Sequence, residues 1–189
     1  MTFWRHCWAG LRLLLVMTVV LGVAYPAVVW LAAHVVAPGR ADGSLVRDAS
    51  GQIVGSSLLG QSFDGPQWFW ARPSTCDYSG TISGGSNLPQ GSPEALAAQA
   101  AREAAVVAAN PDAVGPVPPD ALTASASCLD PDISLAYAEY QLPRVAAARH
   151  LGAADLEALI AAATDRPALG YLGQAGVNVT RLNLALAGR

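Results

Sequence analysis

A chain of 189 residues with 52% apolar side chains and a formal charge of −3 has room for one membrane helix and one ordinary domain of about 150 residues. Its 11 basic residues are all arginine, which excludes a Walker A lysine, a Ser–Lys dyad and a Schiff-base lysine. Past residue 36, nine arginines stand against 14 carboxylates, a charge of −5, and this mildly acidic remainder argues against nucleic-acid binding.

The first predicted element is a membrane helix. Leu13 to Val36 reads LLLVMTVVLGVAYPAVVWLAAHVV, 24 residues without a formally charged side chain. Roughly 20 such residues cross a hydrocarbon core about 30 Å thick, and a helix satisfies its own backbone there. Pro26 removes one helical hydrogen bond and predicts a kink. Trp8 and Trp30 suit the two interfaces. A cleaved signal has an apolar run of about 7–15 residues before a small-residue site. Ala32-Ala33 and Ala37 offer some approach to such a site, but this run is longer and reads as a retained anchor. Arg5 and Arg12 precede the span while Arg40 and Arg47 follow it, nearly a tie in basic residues. The short leading segment has nothing to translocate and Arg12 abuts the span, which favours a cytoplasmic N-terminus. The expected organisation is a cytoplasmic stub at 1–12, a transmembrane helix at 13–36, a linker at 37–43 and an extracytoplasmic domain at 44–189.

Within that domain, residues 44–47 and 53–59 read as strands about a polar turn at 48–52. Trp68-Phe69-Trp70 reads as an aromatic strand ending at Arg72-Pro73, with Phe69 on the face opposite the two tryptophans. Residues 74–93 have the Ser, Gly, Thr and Asn chemistry of a loop. Ser92-Pro93-Glu94 opens a helix to about Ala109, with serine as cap, proline in the first turn and glutamate at the positive helix end. Asn110-Pro111 stops it. Residues 115–119 form an extended connector and 121–124 a short strand. Asp132 or Ser134 caps a second helix to about His150, which Pro143 should kink or divide. Gly152 precedes a third helix, 154–164, with Leu156, Leu159 and Ile160 on one face. Residues 177–186 alternate in two phases and read as a strand bulged near Arg181, with a helix as the alternative. The fold class is α/β: a single N-terminal transmembrane helix followed by one mixed α/β extracytoplasmic domain.

Catalytic chemistry is sparse, and no catalytic or metal-binding residue is assigned. His150 is the one histidine beyond the span and suits the carbonyl end of its helix. One histidine and separated cysteines do not supply a tetrahedral zinc shell. Asp130-Pro131-Asp132 lacks EF-hand spacing and reads as helix capping. Ser83-Gly84-Gly85-Ser86-Asn87 could form an anion nest. It shares only SGG with the ABC-transporter signature, and a tight surface turn is the stronger reading. Trp68-Phe69-Trp70 could be core or a docking patch, core being favoured.

Several segments follow one another in a specific order. Tyr25-Pro26 lies in the span, then come Gly55-Ser56-Ser57-Leu58-Leu59-Gly60-Gln61-Ser62-Phe63, Pro66 and Trp68-Phe69-Trp70-Ala71-Arg72-Pro73-Ser74. Ser83-Gly84-Gly85-Ser86-Asn87-Leu88 is followed by Pro116-Val117-Pro118-Pro119-Asp120, Thr123-Ala124-Ser125 and Leu129-Asp130-Pro131-Asp132-Ile133-Ser134. The helix from Gln141 to Arg149 and the tail motifs Val177-Asn178-Val179 and Leu182-Asn183-Leu184-Ala185-Leu186 complete the series. Together they resemble the KdpC family, small accessory subunits of the Kdp-type ATP-driven potassium pump.

The resemblance implies a single-pass subunit of the bacterial inner membrane. Its partners would be the lipid bilayer, a channel-like potassium-translocating subunit and a P-type ATPase subunit, with no nucleic acid. ATP and potassium would be used by the complex, with neither assigned to this chain. The family is described both as a catalytic chaperone raising ATP affinity and as an outer domain against the channel-like subunit. A domain outside the bilayer cannot touch cytoplasmic ATP, so the topology favours assembly or potassium entry, with any effect on ATP transmitted through the complex. Without lysine the chain has no Asp-Lys-Thr-Gly phosphorylation motif and is not the catalytic subunit. Candidate partner contacts are Trp68, Phe69, Arg72, Ser83, Gly84, Gly85, Ser86 and Asn87. The sequence departs from the family pattern at Ala71 and Cys128, usually glycine, at Asp132, a histidine-like position, and at residues 89–93, where Pro-Gln-Gly-Ser-Pro replaces Gly-Pro-Ser-Asn-Pro. Cys76 and Cys128 both fall beside motif loops and are expected to pair in a disulfide-permissive compartment. The alternatives are a membrane-anchored periplasmic hydrolase using a serine of residues 83–87 with His150, a binding module, or a cytoplasmic nucleotide-binding regulator of inverted topology.

Overall fold

The computed structural model describes residues 2–48 and 50–188. Met1 and Arg189, the outer limits of the expected stub and domain, and Ala49, in the expected turn, lie outside the described residues.

The chain forms two units divided after Leu45. In the first, α1 (Thr2–Val19), a π-helical turn (Val20–Ala24) and α2 (Tyr25–Val36) run on as one helix of 35 residues. It begins well before the apolar run and buries no side chain. It is the one described helix long and apolar enough to cross a membrane. The π turn immediately precedes Pro26, and Tyr25 N–H reaches back five residues to the Val20 carbonyl. That wider turn lies where the proline ring would otherwise meet the carbonyl four residues back. The polar side chains of the span bond to its own backbone. Thr18 Oγ1 donates to the Leu14 carbonyl and His34 Nδ1 to that of Trp30, each at 2.8 Å. The expected linker holds a single turn, α3 (Pro38–Ala41).

The second unit is a mixed α/β domain. β1 (Leu45–Arg47), whose first residue is the last of the first unit, pairs with β2 (Ile53–Ser56). In the turn, the Asp48 carboxylate accepts from Ser50 Oγ, Ser50 N–H and Gln52 N–H at 2.6, 2.9 and 2.9 Å. These bonds, led by that of the Ser50 hydroxyl, hold its pKa below the usual carboxylate value. β2 stops at Ser56 rather than Leu59 because Ser56 Oγ accepts from Leu58 N–H and turns the chain.

The aromatic segment 68–70 is not a strand. Its backbone groups are taken by side chains, as described below. α4 (Pro93–Ala109) is capped by Ser92, whose hydroxyl accepts from Ala95 N–H, and ends at Asn110. The expected strand at 121–124 is not formed: Ala121 and Leu122 end a single turn, α5 (Pro119–Leu122), since extended Pro118 places Pro119 in the first helical position, and Thr123 caps it.

β3 (Asp132–Ile133), β4 (Thr164–Asp165) and β5 (Gly176–Asn178) form an antiparallel sheet in the order β3-β5-β4. Ile133 and Thr164 both oppose Val177. Ser134, not Asp132, caps α6 (Leu135–Arg149), accepting from Tyr137 N–H, while Asp120 accepts from both Ser134 N–H and Oγ. α6 runs unbroken past Pro143, so the proline does not divide it. α7 (Ala153–Ala163) follows Gly152 and packs on α6, β5 and α8 (Val179–Ala187).

The tail corrects the bulged-strand expectation. Only 176–178 are strand; Asn178 then caps α8 by accepting from Arg181 N–H at 3.0 Å. Val179, Leu182 and Leu186, spaced three and four apart, are each at most 1% exposed and join Leu156, Ile160, Val145 and Val177 in the core.

Candidate functional site

The backbone of Phe69 and Trp70 is paired by two side-chain amides. Asn183 of α8 accepts from Phe69 N–H at 3.0 Å and donates to the Phe69 carbonyl at 2.8 Å. Gln141 of α6 does the same one residue on, accepting from Trp70 N–H at 2.7 Å and donating to its carbonyl at 3.1 Å. Both amides are buried, and each replaces the ladder bonds that a neighbouring strand would supply.

Arg144 completes this clamp. Its Nη1 donates to the Pro66 and Trp68 carbonyls at 2.7 and 3.0 Å, Nε to Asn110 Oδ1 at 2.9 Å, and Nη2 to Gln141 Oε1 at 2.8 Å. The guanidinium lies 4.2 Å from the centre of the Trp70 ring, and Arg149 lies 4.3 Å from that of Trp68. Among the described residues no carboxylate forms an ion pair with Arg144. Burial lowers its pKa to about 10, still far above neutrality, so the cation is held by carbonyl and amide oxygens. Phe69 is fully buried and belongs to the core, which removes it from any contact surface. Trp68 is partly buried, packed on that core with the Phe63 ring beside it.

The other candidate contacts gather on residues 125–130. Arg72 Nη1 pairs with Asp130 at 2.9 Å. Ser74 Oγ donates to the Cys128 carbonyl at 2.8 Å, and a disulfide joins Cys76 to Cys128 with their Cα atoms 5.8 Å apart. Ser83 Oγ and Gly84 N–H both donate to the Ser127 carbonyl at 3.2 Å. A Cβ on Gly85 would come within 3.2 Å of the Ala126 carbonyl oxygen, so glycine permits that close approach. Ser86 and Asn87 are exposed, and Asn87 takes the left-handed conformation at φ 51°. The segment is therefore an irregular loop tied to residues 126 and 127, not the tight turn expected from its sequence. His150 is the exposed left-handed cap of α6, and among the described residues no hydrogen bond joins it to a serine. Ser83, one of the two serines of that loop, donates to a carbonyl rather than to His150.

A groove of about 950 Å³ opens beside Arg72, between residues 114–120, α6 and residues 174–176. Asp132 lies on it. Burial pushes the Asp132 carboxyl up from its ordinary value; the bond from Asn178 opposes this, while the Asp130 and Asp165 charges add to it. A carboxyl raised by folding favours the folded state while protonated, and that contribution is lost as pH rises through the folded pKa. Asp132→Asn keeps an oxygen for Asn178 Nδ2 and removes the loss. The variant should therefore be more stable than the parent at pH 7, with the gap closing toward about pH 4, near the unfolded carboxyl value. Urea unfolding at both pH values checks this, and an equal gain at the two would refute it.

Sequence reasoning missed Gln141, Arg144 and Asn183 as structural keys. The available signal was polar residues on the apolar stripes of α6 and α8, where burial demands partners.

The residues 7–188 match the model of a family described as KdpC: K+-transporting ATPase, c chain. A potassium-transporting ATPase KdpC subunit of Sorangium cellulosum is 48% identical over 186 residues, covering 97% of each chain. One from Kineococcus radiotolerans is 50% identical over 184 residues, covering 96% of this chain and 93% of its own, and one from Serratia proteamaculans is 45% identical over 180 residues, covering 94% and 95%. With a family match over nearly its whole length and relatives this similar, the chain belongs to the KdpC family, the c chain of the K+-transporting ATPase.

Proposed function

We propose that this subunit is non-catalytic and that it holds together a channel-like potassium-translocating subunit and a P-type ATPase subunit. The segment 13–36 spans the bacterial inner membrane with residues 1–12 in the cytoplasm, and the domain after the 37–43 linker lies outside. ATP and potassium are handled by the complex rather than bound by this chain. An increase in the pump's affinity for ATP, implied by family resemblance, is then transmitted through the assembly.

The observation that carries this reading is the Cys76–Cys128 disulfide. Disulfides persist in oxidising compartments and are rare where cytosolic thiols are kept reduced, so the bond supports an outer domain that never meets ATP. A single reporter in the exposed loop, Ser86→Cys on a Cys7→Ser background, tests it in whole cells. Labelling by an impermeant maleimide without permeabilisation is the expected result. Labelling that appears only after permeabilisation would place the domain in the cytoplasm and favour the nucleotide-binding alternative.

A further inference from the structure

We propose that the groove beside Arg72 seats an extended, positively charged and partly apolar segment of another subunit of the same pump. This rests on the subunit reading above and adds the place and chemistry of one contact. Much of the lining is apolar and stiff: Pro116, Val117, Pro119, Ile133 and Pro143. Proline-rich walls lose little conformational freedom when covered, which keeps the entropic cost of docking low. At about 950 Å³ the cleft has room for several side chains.

Its charge is one-sided. Asp120, Asp130, Asp132 and Glu139 line it against the single guanidinium of Arg72, four negative groups to one positive. Arg72 is engaged with Asp130, and among the described residues no basic side chain forms an ion pair with Asp120, Asp132 or Glu139. A single metal ion does not answer this charge, because among the described residues no three carboxylates, histidines or cysteines gather closely enough to ligate one. Charges spread along a cleft are matched by charges spread along a chain. The rim adds an apolar contact. Val114 is 93% exposed, more than any other large apolar side chain among the described residues, and lies at the groove edge. Gln174 to Gly176, which also line the groove, follow a tight hairpin at Ala168–Leu172 whose Leu169 and Tyr171 are also exposed.

The test is photo-crosslinking in the assembled pump. The full chain, carrying p-benzoylphenylalanine in place of Val114, is co-expressed with the other pump subunits, and a second version carries it in place of Trp30 in the apolar helix. The expected result is an adduct from position 114 to one subunit, mapped by mass spectrometry to a segment containing Lys or Arg beside apolar residues. Glu139→Arg should lower that yield by about tenfold, as expected when like charges meet across an interface. Adducts from position 30 alone, or from position 114 to lipid, to a second copy of this chain or to an acidic segment, would overturn the groove assignment while leaving the subunit reading intact. So would a yield unchanged by Glu139→Arg. If neither position yields an adduct and the chain does not co-purify with larger subunits, both readings fall.

Discussion

Arg144→Met should destabilise the domain by about 3–5 kcal/mol, the scale expected when a buried charged donor is removed and several oxygens lose their hydrogen bonds. Methionine fills much of the same volume, so the loss is not chiefly one of packing. It comes from oxygens: the Pro66 and Trp68 carbonyls and Asn110 Oδ1 lose this donor in a water-poor site, while Gln141 Oε1 loses one donor and keeps Trp70 N–H. Buried acceptors left unmade cost about 1–3 kcal/mol apiece at most, and partial relaxation keeps their sum near the stated range. Arg144→Lys should recover less than half of the loss. An ammonium offers three donors from one point, whereas the guanidinium spreads five across a plane that also lies against Trp70. Arg149→Ala, which loses one bond to the Gln67 carbonyl and a partly exposed stacking contact, should cost only about 1 kcal/mol. Urea unfolding of the full chain in detergent, followed by tryptophan fluorescence, measures all three. A loss below about 1 kcal/mol for Arg144→Met would mean that water takes over the freed oxygens.

The same clamp explains which parts of the fold were legible in the sequence. The helical span over 13–36 and α4 carry their signals locally, in uninterrupted apolar composition and in a Ser-Pro-Glu start with an Asn-Pro stop, whereas the helical start at Thr2, in a segment holding Arg5 and Arg12, had no such signal. α7 announces itself by Leu156, Leu159 and Ile160, all buried as their spacing predicts. Residues 68–70 misled because three aromatics in a row have strand propensity, yet their backbone partners come from side chains 71 and 114 positions away. No local pattern encodes a partner at that separation. The tail failed for a related reason. Val177 and Val179 alternate as a strand does, but Asn178 between them caps a helix, and its side chain also bonds the Ser57 carbonyl and Asp132. The candidate contacts on residues 83–87 were legible as a loop, though not as the tight turn expected there. Their common anchor at 125–130 was not, since it depends on a long closure of the chain.

That closure is where the second large effect is expected. Cys76 and Cys128 are 52 positions apart, and cross-linking a loop of that size should stabilise the domain by about 4 kcal/mol through the entropy it removes from the unfolded chain. For a domain of about 150 residues this corresponds to a fall of roughly 8–16 °C in Tm when the bond is lost. The loss should not stay at the sulfurs. Cys128 is fully buried, and the bond joins the turn at 74–84 to residues 125–128, where Ser74, Ser83 and Gly84 also find their acceptors. Without the bond those individually weak, at most part-buried bonds must hold the segment alone, so amide exchange should quicken across 74–87 while α7 and α8 stay protected. Thermal melts of the Cys7→Ser chain with and without reductant, and of the Cys76→Ala/Cys128→Ala pair, measure the first effect, and hydrogen exchange measures the second. In cells lacking the envelope's disulfide-forming catalyst, the wild-type chain should accumulate to lower levels, with the double-alanine variant unaffected by that deletion. If reduction leaves Tm unchanged, or if the bond forms equally well without that catalyst, the disulfide is neither a staple of this domain nor a mark of the compartment in which it folds.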